Sequence, residues 1–228
     1  MRLSLPSGTP CELAIPSLQD PNNRRGVVIA PDIFGLRPLF DDLCAHLAST
    51  YGWVVCAVEP FPGREHLSLE ERFEAAPTIK DSEYLGDLKA AADLITEHGA
   101  TAIGIIGFCM GGMYSLKAAG LFFDGLGCFD RLVSFYGMIR VPKEWKGDDT
   151  GEPLDAIAKK GASEVMAIIG GLDHWTPPED VDALEAAGAQ VIRYPEADHG
   201  FVHDPSRPAH RPDDAADAWR KVASFLEV

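Results

Sequence analysis

Short apolar runs alternate with amphipathic stretches along nearly the whole 228-residue chain. Gly26–Ala30, Trp53–Val58, Ala102–Ile106, Leu132–Tyr136, Val165–Ile169 and Gln190–Tyr194 are continuous and rich in β-branched or apolar residues. A half-exposed strand would alternate, so these runs predict strands covered on both faces, as in a parallel sheet. Cys11–Ile15 predicts an edge strand. Between the runs, Leu39, Leu43 and Leu47 (residues 37–50) and Leu85, Leu88, Ala92 and Ile95 (residues 82–98) recur at helical spacing. Residues 110–121, roughly 178–187 and roughly 213–226 complete the helices. This βαβ alternation implies right-handed crossovers and helices on both faces of one mostly parallel sheet. No repeat, low-complexity tract or linker interrupts it, so one α/β domain over residues 1–228 is expected, without a separate lid domain. The irregular segments 59–80 and 140–153 follow strands and lie over the carboxyl edge of the sheet. There they serve either as pocket walls or as solvated connections.

The strongest chemical signal sits where the third long run ends. Gly107-Phe108-Cys109-Met110-Gly111-Gly112 follows it directly. Small-x-nucleophile-x-small between strand and helix is the pattern of a nucleophile elbow, a strained turn that points the central side chain into a pocket. The glycines leave room for that turn. With Cys at the centre, the frame points to covalent acyl chemistry on an ester or lactone.

A thiol nucleophile needs a base, and the base needs an orienting acid. Ile168-Ile169-Gly170-Gly171-Leu172-Asp173 is a strand running into an aspartate, and Tyr194 to Phe201 is a strand running into His199-Gly200. The order nucleophile, acid, histidine is that of α/β-hydrolases. Asp198 competes as the acid, but neighbouring side chains at an extended strand end point apart, which favours Asp173. His174, His203 and His210 are surface or supporting residues on this reading. Cys11, Cys44, Cys56 and Cys128 are small buried hydrophobes. Trp53 and Trp219 are assigned to the core; Trp145 and Trp175 fall in loops at the active edge, as pocket lining or plain packing.

Composition narrows the surroundings. The net charge of −15 argues against nucleic acid as a partner and opposes long-range attraction of anionic substrates. Five widely spaced cysteines without a CxxC pair fit a reducing cytoplasm better than a disulfide framework or a metal site. No run is long and apolar enough to span a bilayer, and residues 1–20 lack the apolar core of a signal peptide.

Four stretches resemble the dienelactone hydrolase family of the α/β-hydrolase superfamily: APDIFGL (Ala30 to Leu36), GFCMGG (Gly107 to Gly112), IIGGLD (Ile168 to Asp173) and DHGF (Asp198 to Phe201). The resemblance implies an α/β-hydrolase fold and a lactone or ester hydrolase acting through a thioester acyl-enzyme without a cofactor. Cys109 is then the nucleophile, His199 the base and Asp173 its orienter. The backbone N–H groups of Ile33 and Met110 form the oxyanion hole. Where the family has a glutamate that contacts the thiol, this chain has Asp32. Four residues after the histidine, where a family arginine binds the substrate carboxylate, stands His203. Arg72 corresponds to the family's other arginine, and Trp175 joins these as a substrate-binding candidate. A histidine in place of an arginine implies a preference for neutral or weakly anionic substrates. A general carboxylesterase or thioesterase, or a non-catalytic binding protein keeping the same pocket, are the alternatives; a monomer or homodimer is expected.

Overall fold

Five of the six apolar runs become inner strands of an eight-stranded sheet; the sixth, Gln190–Tyr194, is an edge strand, and only Tyr194 of it is buried, so the expectation of cover on both faces fails there. The sheet order is β1 (Arg2–Ser4), β2 (Pro10–Ala14), β4 (Val54–Val58), β3 (Arg25–Ala30), β5 (Ala102–Phe108), β8 (Arg131–Phe135), β9 (Glu164–Gly170) and β10 (Gln190–Tyr194). The structure is a computed structural model and describes residues 1–17, 25–123, 126–160 and 163–227. The strands from β4 across to β10 pair in parallel, while β1 and β2 add an antiparallel edge. Two-residue strands β6 (Phe122–Phe123) and β7 (Leu126–Gly127) pair separately.

Side-chain alternation along each inner strand feeds two cores. Val27 and Ile29 face one helical layer, Val28 and Ala30 the other. Helices α1 (Pro38–Tyr51) and α7 (Pro212–Glu227) cover the first face with Phe40, Leu47, Val222 and Leu226. Helices α3 (Asp81–Glu97), α4 (Met110–Lys117) and α6 (Pro178–Ala186) cover the second with Leu88, Ile95, Leu116 and Leu184. Each of these side chains is almost fully excluded from water and contributes about 1.5–3 kcal/mol by burial. The fold is the expected α/β-hydrolase architecture. No described helix is long and apolar enough to cross a membrane.

The differences from the sequence pattern are local. Helix α4 ends at Lys117 and tightens into a 3-10 turn over Ala118–Gly120, short of residue 121. The segment 59–80, read as irregular, contains helix α2 (Leu69–Ala75) and a 3-10 turn. Its start is written at Ser68 and Glu71, whose side chains each accept the other's backbone N–H in a capping box. The segment 140–153 holds a 3-10 turn at Lys143–Trp145 and leads into α5 (Pro153–Ile157).

The strand order reverses at β3, which has β4 on one side and β5 on the other. In open α/β sheets a crevice opens outside the carboxyl ends at such a point, and the loops after β3 and β5 flank it here. Close packing at those strand ends excludes side chains. A Cβ on Gly107 would lie 1.9 Å from the Gly111 carbonyl oxygen, and one on Gly111 would lie 1.9 Å from the Ala30 oxygen. Gly111→Ala is therefore expected to lose about 3 kcal/mol or more. Gly86, inside α3, has nothing within 4 Å of its notional Cβ, so Gly86→Ala should gain about 0.5–1 kcal/mol. Urea unfolding of the two variants checks this; similar stabilities would refute it.

Candidate active site

Strand β5 delivers Cys109 to the switch point on a turn with φ 55° and ψ −116°, outside the usual range of a side-chain-bearing residue. Such a conformation costs about 1–3 kcal/mol and persists only where its surroundings enforce it. Here the Cys109 N–H is held by the Phe135 carbonyl at 3.0 Å, and its own carbonyl starts α4 by accepting from Met113. The sulfur thus lies beside the N-terminus of a helix. Neither Ile33 nor Met110 donates its backbone N–H to an acceptor among the described residues.

The loop after β10 brings His199 to the same place. Its Nδ1 lies 2.8 Å from Oδ2 of Asp173, which is buried at the end of β9. The other Asp173 oxygen accepts from the Trp175 N–H at 2.9 Å. The ring rests edge-on against Tyr136, and its Nε2 is buried without a hydrogen-bond partner. Burial works against a charged imidazole at His199. The neighbouring Cys109 sulfur and the hydrogen bond to Asp173 outweigh it, and the His199 pKa rises to about 10. Asp198 is exposed and accepts the His199 backbone N–H at 2.7 Å, not the ring.

Cys109 and His199 face one cleft of about 110 Å³, open to solvent on one side. Its walls are apolar: Phe34, Leu69, Phe73, Met138, Trp145 and Trp175. Helix α2 contributes Leu69 and Phe73, so the capping box at Ser68 helps build the pocket. Phe73 packs on Trp145, and Trp145 on Trp175, at ring centroid separations of 5.8 and 6.0 Å. Both loop tryptophans are pocket lining. The cation of the lining is Arg207, which sequence reasoning missed. Its guanidinium packs on Gly200, where a Cβ would come within 2.6 Å of Nη1. No described carboxylate forms an ion pair with it.

Three sequence assignments need correction. Asp32 lines the cleft but makes no hydrogen bond to the thiol. Its Oδ1 accepts from Arg37 Nη1 (2.6 Å) and the Phe34 N–H (3.1 Å), and its Oδ2 from Arg37 Nη2 (2.9 Å) and His203 Nε2 (2.8 Å). A carboxylate offers about four lone-pair sites, and all are taken. His203 is not in the cleft: it is buried, with Nε2 on Asp32 and Nδ1 on the Tyr136 hydroxyl. Arg72 is also absent from the cleft lining; it is buried and spends its donors on backbone carbonyls. Of the remaining histidines, His174 is exposed and His210 does not line the cleft. Asp173, His174 and Asp198 bring ligand atoms within 4.8 Å of one another. Two of them are exposed, and Asp173 is committed to His199 and Trp175, so the trio makes no case for a metal.

Residues 13–228 match the profile of the Dienelactone hydrolase family. The chain belongs to that family. Carboxymethylenebutenolidase of Rhodococcus opacus is 27% identical over 224 residues, spanning 88% of this chain and 80% of that protein. A Synechocystis protein given the same name provisionally is 30% identical over 219 residues, 89% of this chain and 85% of its own. The crystal structure of a provisionally named dienelactone hydrolase from Klebsiella pneumoniae superposes with a TM-score of 0.84 at 26% identity, covering 99% of this chain and 97% of that one. This member of the family is accordingly a dienelactone hydrolase-like enzyme of the ester and lactone class.

The Asp32 cluster carries a measurable pH signature. Burial alone would raise the Asp32 pKa, but the hydrogen bonds from His203 and Arg37 hold it at about 2. A carboxylate depressed on folding stabilises the protein above its unfolded value near 4 and ceases to do so as pH falls through its folded value. Wild type is therefore expected to lose about 2 kcal/mol more than Asp32→Asn between about pH 4 and pH 2. Equal losses in chemical unfolding across that window would contradict the assignment.

Proposed function

We propose that the enzyme hydrolyses an enol lactone or activated ester that joins a flat apolar body to a carboxylate, using Cys109, His199 and Asp173 and a thioester acyl-enzyme. The observation that carries this reading is the unpartnered, buried Nε2 of His199 facing the cleft of Cys109, while Asp173 holds the other ring nitrogen. That arrangement leaves one imidazole nitrogen free to exchange protons with whatever enters the cleft.

The thiol proton passes to His199 Nε2, and the resulting sulfur anion attacks the substrate carbonyl carbon. The N–H groups of Ile33 and Met110 receive the oxyanion; one such donor is worth about 10²–10³ in rate. Collapse breaks the acyl C–O bond, and the leaving enolate oxygen takes the proton back from His199. Water then gives a proton to Nε2 and attacks the thioester. The second collapse expels the sulfur, which recovers its proton, and releases the carboxylic acid product. One water is consumed and the enzyme is regenerated. An enolate suits this route, because a poor alkoxide leaving group would let the sulfur be expelled instead.

The apolar walls and Arg207 support the substrate class. A histidine at position 203 favoured a neutral substrate on sequence grounds, but that side chain is buried with Asp32, and Arg207 supplies a cation within the cleft. A guanidinium there can offset both desolvation of a carboxylate and repulsion by a surface of net charge −15. The carboxymethylenebutenolidase names of the relatives point to the same chemistry.

One kinetic panel tests the reading, using a carboxylated enol lactone and its neutral methyl ester. Cys109→Ala should abolish turnover. Asp173→Asn should lower kcat by about 10⁴, since the imidazole would adopt the wrong tautomer, while Asp198→Asn should do far less. The carboxylated lactone should be preferred, and Arg207→Gln should erase most of that preference through KM. Turnover that survives Cys109→Ala, or a larger loss in Asp198→Asn than in Asp173→Asn, would overturn the triad. An undiminished carboxylate preference in Arg207→Gln would overturn the substrate assignment.

A further inference from the structure

The loop after β3 carries the Ile33 N–H and is gripped from two opposite sides by buried charged groups. On one side stand Glu59 and Arg72. Glu59 is fully buried and accepts the Leu36 N–H at 2.8 Å and the Phe61 N–H at 2.9 Å. Arg72, on α2, lies 3.6 Å from Glu59 and lays its guanidinium over the Phe61 ring. It donates from Nη1 to the Ile33 carbonyl (3.4 Å), from Nη2 to the Glu65 carbonyl (2.7 Å) and from Nε to the Leu67 carbonyl (3.1 Å). Gly35, at φ +70°, passes so close that a Cβ would lie 2.6 Å from Glu59 Oε1.

On the other side, Asp32 is tied through His203 to Tyr136. Burial lowers the His203 pKa despite the neighbouring carboxylate. Its Nε2–H donates to Asp32, and its Nδ1 is hydrogen-bonded to the Tyr136 hydroxyl. Tyr136 is anchored in turn by its N–H to the Ile168 carbonyl at 2.8 Å, with φ 41°. It also supports the His199 ring.

Neither Arg72 nor His203 lines the cleft, yet together they fix both neighbours of one N–H. The Asp32 side chain is held before it and the Ile33 carbonyl after it. Peptide units are planar, so little rotation is left for the N–H between them. We propose that Arg72 and His203 are positioning residues that aim the Ile33 N–H at the oxyanion formed over Cys109, an inference that rests on the oxyanion role given to that N–H above. Arg72 also joins the pocket wall of α2, through Leu69 and Phe73, to the same loop. The two residues that sequence similarity offers as substrate ligands thus act on the transition state through the backbone.

Two reactions of the same sulfur separate this role from a general structural one. Iodoacetamide alkylation forms the S–C bond as iodide leaves a saturated carbon, and no oxyanion appears. Acylation by p-nitrophenyl acetate passes through a tetrahedral oxyanion before p-nitrophenolate leaves. Both rates at Cys109, followed by peptide mass mapping, are compared in wild type, Arg72→Lys and His203→Gln. The double variant Glu59→Gln/Arg72→Met is included because it removes both charges and leaves neither buried alone. The expected result is a fall of about 10–100-fold in acylation, with alkylation and ester KM changed by no more than about threefold. Parallel loss of alkylation and acylation would overturn the proposal, as would unchanged acylation with a KM rise confined to carboxylated esters. Acylation of wild type at a residue other than Cys109 would remove the oxyanion reading itself, and this inference with it.

Discussion

The turn at Cys109 is the constraint from which the rest of the site follows. The backbone leaves β5 at φ 55°, and the entering helix comes so close to β3 and β8 that Gly107, Gly111 and Gly112 have no room for side chains. Two buried cores, one on each face of the sheet, supply the free energy that keeps this strained turn in place. The same close approach sets the sulfur beside the helix N-terminus and across from the loop after β3. The proposed chemistry therefore depends on a packing restriction before it depends on any charged group.

Two aspartate–histidine pairs lie near this turn, and their surroundings give them opposite properties. In Asp173–His199 the distal nitrogen is buried and unpaired, and the nearby sulfur raises the ring's affinity for a proton. In Asp32–His203 the distal nitrogen is occupied by the Tyr136 hydroxyl, and burial lowers the ring's affinity for a proton. The first pair is open to proton exchange and the second is closed. The hydrogen-bond partner of the second nitrogen, more than the carboxylate, decides which histidine can serve as a base.

Much of this was legible in the sequence, and the failures share a cause. The parallel strands, the helical layers and the convergence of Cys109, Asp173 and His199 follow from strand–loop order, because parallel strands deliver their C-terminal loops to one edge. Position in an aligned motif does not say where a side chain points. Asp32, His203 and Arg72 all stand at suggestive positions but turn into buried networks. Arg207, eight residues beyond His199 in a loop without periodicity, gave no signal and yet lines the cleft. Helix α2 could have been found from Ser68 and Glu71, since the capping box is a local pattern; its short length hid the helical period.

The central claim is that acyl transfer passes through the Cys109 sulfur. Rapid acid quench of the enzyme during turnover of an activated ester, followed by peptide mass mapping, tests it most directly. The account predicts an acyl group on the peptide containing Cys109, its amount in the burst matching the enzyme present, and none in Cys109→Ala. An acyl group on another residue, or steady turnover with no acylated peptide under conditions where deacylation is slow, would contradict it.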